Sequence, residues 1–384
     1  MVVGVTGAVI AVLALTTAGP RRGGASPGST ASTPCSTTFA SVTGLEAAVG
    51  SAPAGATLCL ASGTYAGLTL RRGHGGVVTV EPAPGRRVSI GTGAIDGHRL
   101  VVAVVFAPGA GHIVLRGFYI TGEVELEPGD TAIGIDHNDI SGGTYGIQLD
   151  SSNCAAPSAP TWPGCRPLAK ISDTTISGNR IHDIVAKADA LNVDNYAGLR
   201  ITGNDIYDII EGGHHSDCLQ STFGGTDLVF DHNYEHDNEC QGFFLKDGDV
   251  SGATLDDNLF LSDQRPALDG ASSASSSQVW NTAGFVAERN TIWDGKGLTL
   301  RCVSSRLPCT ATVRDNILVS LTNGSGSAET FTLDEGRNRF ARSPWSFRPS
   351  RSDAIVTGGG PGPPQDTPPG IGVDWNPGDQ RYGP

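Results

Sequence analysis

The chain has 384 residues, enough for one large domain or two ordinary ones, and holds 53 glycines, 38% hydrophobic residues and only 17% charged ones. That balance suits a turn-rich, glycine-punctuated β protein rather than a helical one. A formal net charge of -13 excludes nucleic acid as a partner, because nothing here could neutralise a run of phosphates, and it disfavours a polyanion unless a cation or a local basic group mediates contact.

The N-terminal stretch "MVVGVTGAVIAVLALTTAGPRR" is an apolar run followed by small residues, the pattern of a secretory signal without the usual basic leader. Residues 1–30 are therefore expected to be a signal peptide with a small-residue linker. No second stretch is apolar enough to span a bilayer, so the mature chain is expected to be exported, soluble and monomeric. Eight cysteines, an even set, fit an oxidising compartment. Neighbours along the chain suggest Cys35–Cys59, Cys154–Cys165, Cys218–Cys240 and Cys302–Cys309, although connectivity stays open. No pair has CxxC spacing, which disfavours a structural zinc site.

The middle of the chain repeats a short phrase: "IDHNDI", "ISGNRI", "ITGNDI", "FDHNYE", "LDDNLF", "AERNTI" and "VRDNIL". Its asparagines are Asn138, Asn179, Asn204, Asn233, Asn258, Asn290 and Asn316. Each has an apolar residue three before it, and all but one have an apolar residue two after. With the inserts "CAAPSAPTWPGC" and "ASSASSS" removed, the period is roughly 25 residues, in the range of solenoid repeats. Period-two apolar alternation gives strands with one buried face. Asparagine tolerates left-handed backbone and its side chain satisfies turn amides. A right-handed parallel β-helix of three-strand coils, with asparagine ladders at the turns, is the expected fold over 31–345. Leucine-rich and propeller repeats would need a leucine-rich consensus or helical segments. From 346 to 384 the composition turns to proline and glycine, as in "GGGPGPPQDTPPGIG", and reads as a tail.

The opening coils, "GATLCLASGTYAGLTL" and "VVTVEPAPGRRVSI", resemble those of secreted β-helix proteins in the pectate-lyase-like superfamily. Equivalent residues of successive β-helix coils lie about 4.8 Å apart, so alignment turns sequence into a surface. Three coils read "DALNVDN", "DCLQSTF" and "QGFFLKDG". With Leu191, Leu219 and Phe243 inward, Asn192, Gln220 and Phe244 form one outward column, and Asp194, Thr222 and Lys246 the next. Asp189, Asp217 and Gln241 stack at the head of the strands. An exposed aromatic on such a polar face is a natural sugar platform, so Asn192, Gln220, Phe244 and Gln241 are expected to bind substrate.

Two enzyme families share parts of this pattern. "NVD" at 192–194, "SDC" at 216–218 and Cys240 resemble the framework of polygalacturonase-type glycoside hydrolases. That likeness implies Asp194 and Asp217 as catalytic carboxylates of an inverting hydrolase, with a Cys218–Cys240 disulfide. Ser216 stands where the family has another aspartate, and a Phe where it has a histidine. "ECQGFFLK" resembles β-helix polysaccharide lyases of the alginate lyase and chondroitinase type. This second likeness implies Lys246 as the base, with Ca2+ held by Asp194, Asp217 and Glu239, in β-elimination of a uronic-acid-containing polysaccharide. His215, in "HHSDC", would return a proton to the leaving oxygen or orient Asp217. The lyase is the leading expectation; the hydrolase and a non-catalytic carbohydrate-binding β-helix stand beside it.

Overall fold

The computed structural model describes residues 34–72, 75–91, 95–96, 99–100, 102–151, 167–184, 189–210, 216–246, 248–261, 277–292, 297–303, 305–324 and 329–340. The expected signal segment, the Cys154–Cys165 bridge, His214, His215 and the C-terminal tail lie outside them.

One coil shows how the sequence becomes a turn of the spring. "LNVDNYAGLRIT" alternates well enough to form a 12-residue strand, Leu191–Thr202, and Asn195 at φ 43° bends it so that its halves lie on two faces. Gly203 at φ 64° and Asn204 make the next corner, and Asp205–Ile209 forms the third face. The following coil repeats the path with Asp217–Asp231 and Tyr234–His236, and both pairings are parallel, the longer one shifting register by one residue at the bend after Asp194. Repetition yields a parallel β-helix of three-strand coils, with the right-handed sense expected of parallel crossovers. The first face runs from Leu68–Leu70 to Leu321–Asn323.

The corner between second and third faces carries the asparagine ladder. In each rung Oδ1 accepts from the backbone N and the Nδ2 of the asparagine one coil earlier, as Asn233 does from Asn204 at 3.0 and 2.9 Å. Nδ2 in turn donates to a carbonyl of the previous coil, here Ile201 at 3.0 Å. Buried amides at the corner thus find partners without water. Asn338 adds a further rung beyond the repeat read from sequence. The left-handed backbone falls on the residue before each ladder asparagine, such as Gly178, His232 or Asp257, and not on the asparagine as expected. The side chain is what the position requires.

The repeat's one exception also has a place. Two residues after each ladder asparagine lies an inward column: Ile140, Ile181, Ile206, Glu235, Phe260 and Ile292 in successive coils. Glu235, the non-apolar member, is fully buried in line with them.

One helix, Val42–Val49, occurs among the described residues. Ser41 caps it by accepting from Gly44 N, and Leu45 and Val49 bury its inner side against the first coils. It closes an end of the apolar core that a stack of strands leaves open. Disulfides join Cys35–Cys59, Cys218–Cys240 and Cys302–Cys309. No helix among the described residues is long and apolar enough to cross a membrane.

Candidate active site

The first face carries two columns that point away from the core, and the ladder fixes their membership; Asn192, Asp194, Thr222 and Phe244 within them are buried, so Phe244 is not the exposed platform expected from the sequence. One runs Glu125, Gln148, Asn192, Gln220, Phe244 and Gln278 in successive coils. Two residues further along, the other runs Glu127, Asp150, Asp194, Thr222, Lys246, Trp280 and Arg301, each following the inward residue of its strand. The three coils stack as the sequence suggests: Asn192 faces Gln220, and Gln220 faces Phe244.

The columns are segregated by charge. At the end formed by earlier coils stand Glu125, Glu127, Asp150 and Asp194. Asp194 is only 1% exposed. Burial, followed by the charge of Asp150 one rung away, pushes its carboxyl up to about 7; a hydrogen bond from the Thr222 hydroxyl to Oδ1 opposes the rise. Oδ2 is buried with no hydrogen-bond partner. Glu125 is also pushed up to about 7, by burial and then by Glu127 and Asp150. Burial and Asp150 raise Glu127. The wall therefore holds carboxyls raised to about 7, part protonated at neutral pH, beside other acidic groups, an arrangement that acid–base catalysis uses.

Asn192 links the columns to the strand heads. Its Nδ2 donates to Asp189 Oδ2 at 2.9 Å and to Gln220 Oε1 at 3.2 Å, while Asp189 Oδ1 accepts from Asp217 N at 2.8 Å. Asp189 thereby ties two adjacent coils, a positioning task.

Lys246 and the aromatic residues occupy the other end. Lys246 Nζ lies 5.5 Å from the Phe244 ring centre, and Phe244 meets Trp280 edge to face at 5.9 Å. The Arg301 guanidinium stacks over Trp280 at 4.5 Å, and Trp280 Nε1 donates to Gln278 Oε1 at 3.0 Å.

The structure separates other residues that the sequence grouped. Asp217 is fully buried at the strand head opposite Gln241, whereas Asp194 is level with Thr222. Five residues of strand, roughly 16 Å, lie between these levels. Asp194 and Asp217 thus do not form one pair of carboxylates, because the polygalacturonase-like spacing along the chain is not matched by ladder register. Glu239 sits before the strand, its N–H bonded to Ile209 O, beside Asp217 rather than Asp194. Asp194, Asp217 and Glu239 consequently do not converge as calcium ligands, and no group of three or more His, Cys, Asp or Glu side chains among the described residues is arranged to hold a metal. Gln241 is buried next to Asp217, off the two columns.

Glu125, Asp150, Trp280 and Arg301 escape the sequence reading. Their signal is the alternation in "EVELE", "IQLD", "QVWN" and "LTLR", which matches "LNVD". The long inserts before residues 191 and 277 hide that register.

No protein-family model matches the chain, and no curated protein matches it. Among solved structures it is similar to the DFA-IIIase from Arthrobacter chlorophenolicus A6, at 13% identity and TM-score 0.38, covering 73% of this chain and 71% of that one. The same enzyme in complex with GF2 gives 14% identity and TM-score 0.38 over 73% and 69%. The catalytic unit of a thermostable GH87 alpha-1,3-glucanase from Streptomyces thermodiastaticus strain HF3-3 gives 13% identity and TM-score 0.33 over 78% and 66%.

Proposed function

We propose that the chain is an exported carbohydrate-active enzyme that binds a polysaccharide along its first face and hydrolyses a glycosidic bond there. The observation that carries this reading is the pair Asp150 and Asp194: adjacent rungs of one column, with the Asp194 carboxyl raised to about 7 by burial and then by the charge of Asp150. Asp194 Oδ2 gives its proton to the glycosidic oxygen as the bond to the anomeric carbon breaks. Asp150 forms a bond to that carbon; water then attacks the carbon while giving a proton to the Asp194 carboxylate, and the bond to Asp150 breaks, releasing the sugar and restoring both carboxyls. A rung spacing of about 4.8 Å suits this double displacement better than a water held between two distant carboxyls. Export is supported by the three disulfides.

One observation favours β-elimination instead: Lys246 stands in the same column, two rungs from Asp194. Its Nζ lies over the Phe244 ring, at the opposite end of the column from the carboxyls. The calcium of that reading has no convergent set in Asp194, Asp217 and Glu239.

Product analysis separates the readings. On a panel of uronate-containing and neutral polysaccharides, hydrolysis gives reducing ends without ultraviolet absorbance and is lost in Asp194→Asn. Unsaturated, ultraviolet-absorbing ends that disappear in Lys246→Ala would establish the lyase. Binding with no product on any polymer would leave a non-catalytic β-helix.

A further inference from the structure

We infer that Leu168 and Tyr145 are the two apolar contacts of a sugar unit seated on the Asp150–Asp194 rungs, and that this unit is a pyranose without a carboxylate. The inference rests on the reading of those rungs as a saccharide site, and it runs against the uronate polymer that the family resemblances imply.

Leu168 is fastened to both rungs by its backbone. Its N–H donates to Ser151 O at 2.7 Å, and its carbonyl accepts from Asn195 Nδ2 at 3.0 Å. Ser151 directly follows Asp150, and Asn195 directly follows Asp194. The Ser151 hydroxyl donates to Asp194 O and closes the knot. Ser151 and Asn195 are buried, whereas Leu168 is 38% exposed. A single exposed leucine is ordinary on a protein surface. This one is set apart by its place: the clamp uses only main-chain atoms of Leu168, so it holds the side chain beside both carboxyls without engaging it. The other exposed large apolar residues among those described, Val77, Tyr119 and Phe340, stand on the early coils or the last strand.

Tyr145 approaches the same place from the strand head. Gly146 N donates to Asp189 O at 3.3 Å, which sets Tyr145 just before strand Ile147–Leu149, with Asp150 just after it. A Cβ at Gly146 would fall 2.6 Å from Ala190 O, and one at Gly143 2.0 Å from Tyr145 O, so the turn lies flush on the next coil. Burial, then the charges of Asp189, Glu123, Asp194 and Asp150, raise the phenol above its usual range. A hydroxyl that senses acids at both ends of the strand lies between them, so the half-buried ring extends along the wall toward Asp150. Tyr145 and Leu168 thereby bracket the two carboxyls with apolar surface, which the C–H face of a pyranose can cover. The wall's charge decides the sugar. Glu125 and Glu127, Asp150, and Asp194 occupy three successive rungs, and a carboxylate on the ligand would lose water among them and be repelled.

The test is calorimetric binding to the full chain carrying Asp194→Asn, which prevents turnover. The probes are cello-, laminari-, malto-, manno- and xylohexaose beside oligogalacturonate and oligomannuronate, and circular dichroism checks the fold of each variant. At least one neutral hexaose is expected to bind about tenfold or more tightly than either uronate. Adding Leu168→Ala should weaken that ligand by about tenfold, and Leu168→Met should recover most of the loss. Tyr145→Ala should weaken it similarly, with Tyr145→Phe recovering most of it, because the ring makes the contact. In the chain with Asp194 intact, Leu168→Ala should raise KM far more than it lowers kcat. No binding to any neutral hexaose, a uronate bound as tightly, or an affinity unmoved by Leu168→Ala overturns the proposal. Neutral binding that depends on Leu168 but leads to no cleavage would sink the hydrolase reading alone. Cleavage of a neutral polymer that Leu168→Ala leaves unchanged would sink only this proposal.

Discussion

The Thr222 hydroxyl donates to Asp194 Oδ1 across one rung of the first face, the two residues standing in ladder register. This bond favours the charged form of Asp194 and partly offsets burial and the charge of Asp150. Thr222→Val keeps the shape and removes the donor. The carboxyl then rises further above about 7, and an acid that must be protonated stays active to higher pH. The alkaline limb of kcat/KM should move up by roughly half a unit to one unit. An unmoved or lowered limb would show that Asp194 does not set it.

Asp194→Asn should separate activity from stability. Cleavage should fall by on the order of a hundredfold or more. The folded-state carboxyl lies above its unfolded value, so its contribution to stability is fully present below about pH 4 and lost as pH rises through about 7. Asparagine stays neutral throughout. The variant should melt about 2 °C or more above the native chain at pH 8, and within about 1 °C of it at pH 4. A melting difference that does not change with pH would contradict the buried-acid assignment.

If Asp150 and Asp194 act across one rung, the anomeric configuration of the first-formed product is retained. Proton magnetic resonance of the reaction at early times reads this directly. Inversion would place the second carboxyl elsewhere, with Glu125 on the diagonal from Asp150 as the next candidate.

Asn233 serves four partners at the ladder corner: Asn204, Ile201, Asp231 and Asn258. Asn233→Ala leaves buried groups unpaired in two coils and should cost about 3 kcal/mol in denaturant unfolding. Asn233→Asp should cost a comparable amount, since a carboxylate cannot donate to the Ile201 carbonyl. A loss below about 1 kcal/mol for both would mean that packing alone holds the corner.

On the third face His236 lies between Asp205 and Asp237, each 2.9 Å away, and stacks on Tyr207 and Tyr234. Burial opposes its charge, but the hydrogen bonds to Asp205 and Asp237 prevail and raise the imidazole to about 9. Its stabilising contribution is therefore fully present below about pH 6.5 and lost as pH rises through about 9. His236→Phe keeps the stack and loses both pairs. It should destabilise by about 3 kcal/mol at pH 6 and by clearly less at pH 10, by denaturant unfolding at both values. A deficit that grows with pH would exclude the charged pairing.

Sequence alone determined the coil and much of its surface. Period-two alternation and a recurrent asparagine are local signals, and once coils are stacked at constant register the columns Asn192–Gln220–Phe244 and Asp194–Thr222–Lys246 follow. The exception at Glu235 was visible too, as the one repeat without an apolar residue after its asparagine. Tertiary structure decided which acids meet. Asp217 and Asp194 look paired along the chain but lie five strand positions apart, because a β-helix joins residues by ladder level and not by sequence interval. Asp150, 44 residues before Asp194, stands one rung away because the intervening insert adds chain without adding height. Which arginines meet a carboxylate, as Arg116 meets Asp136 and Arg314 meets Glu288, is likewise a property of three-dimensional neighbourhood. A sequence counts its arginines, but only the folded wall settles which of them have already found a carboxylate.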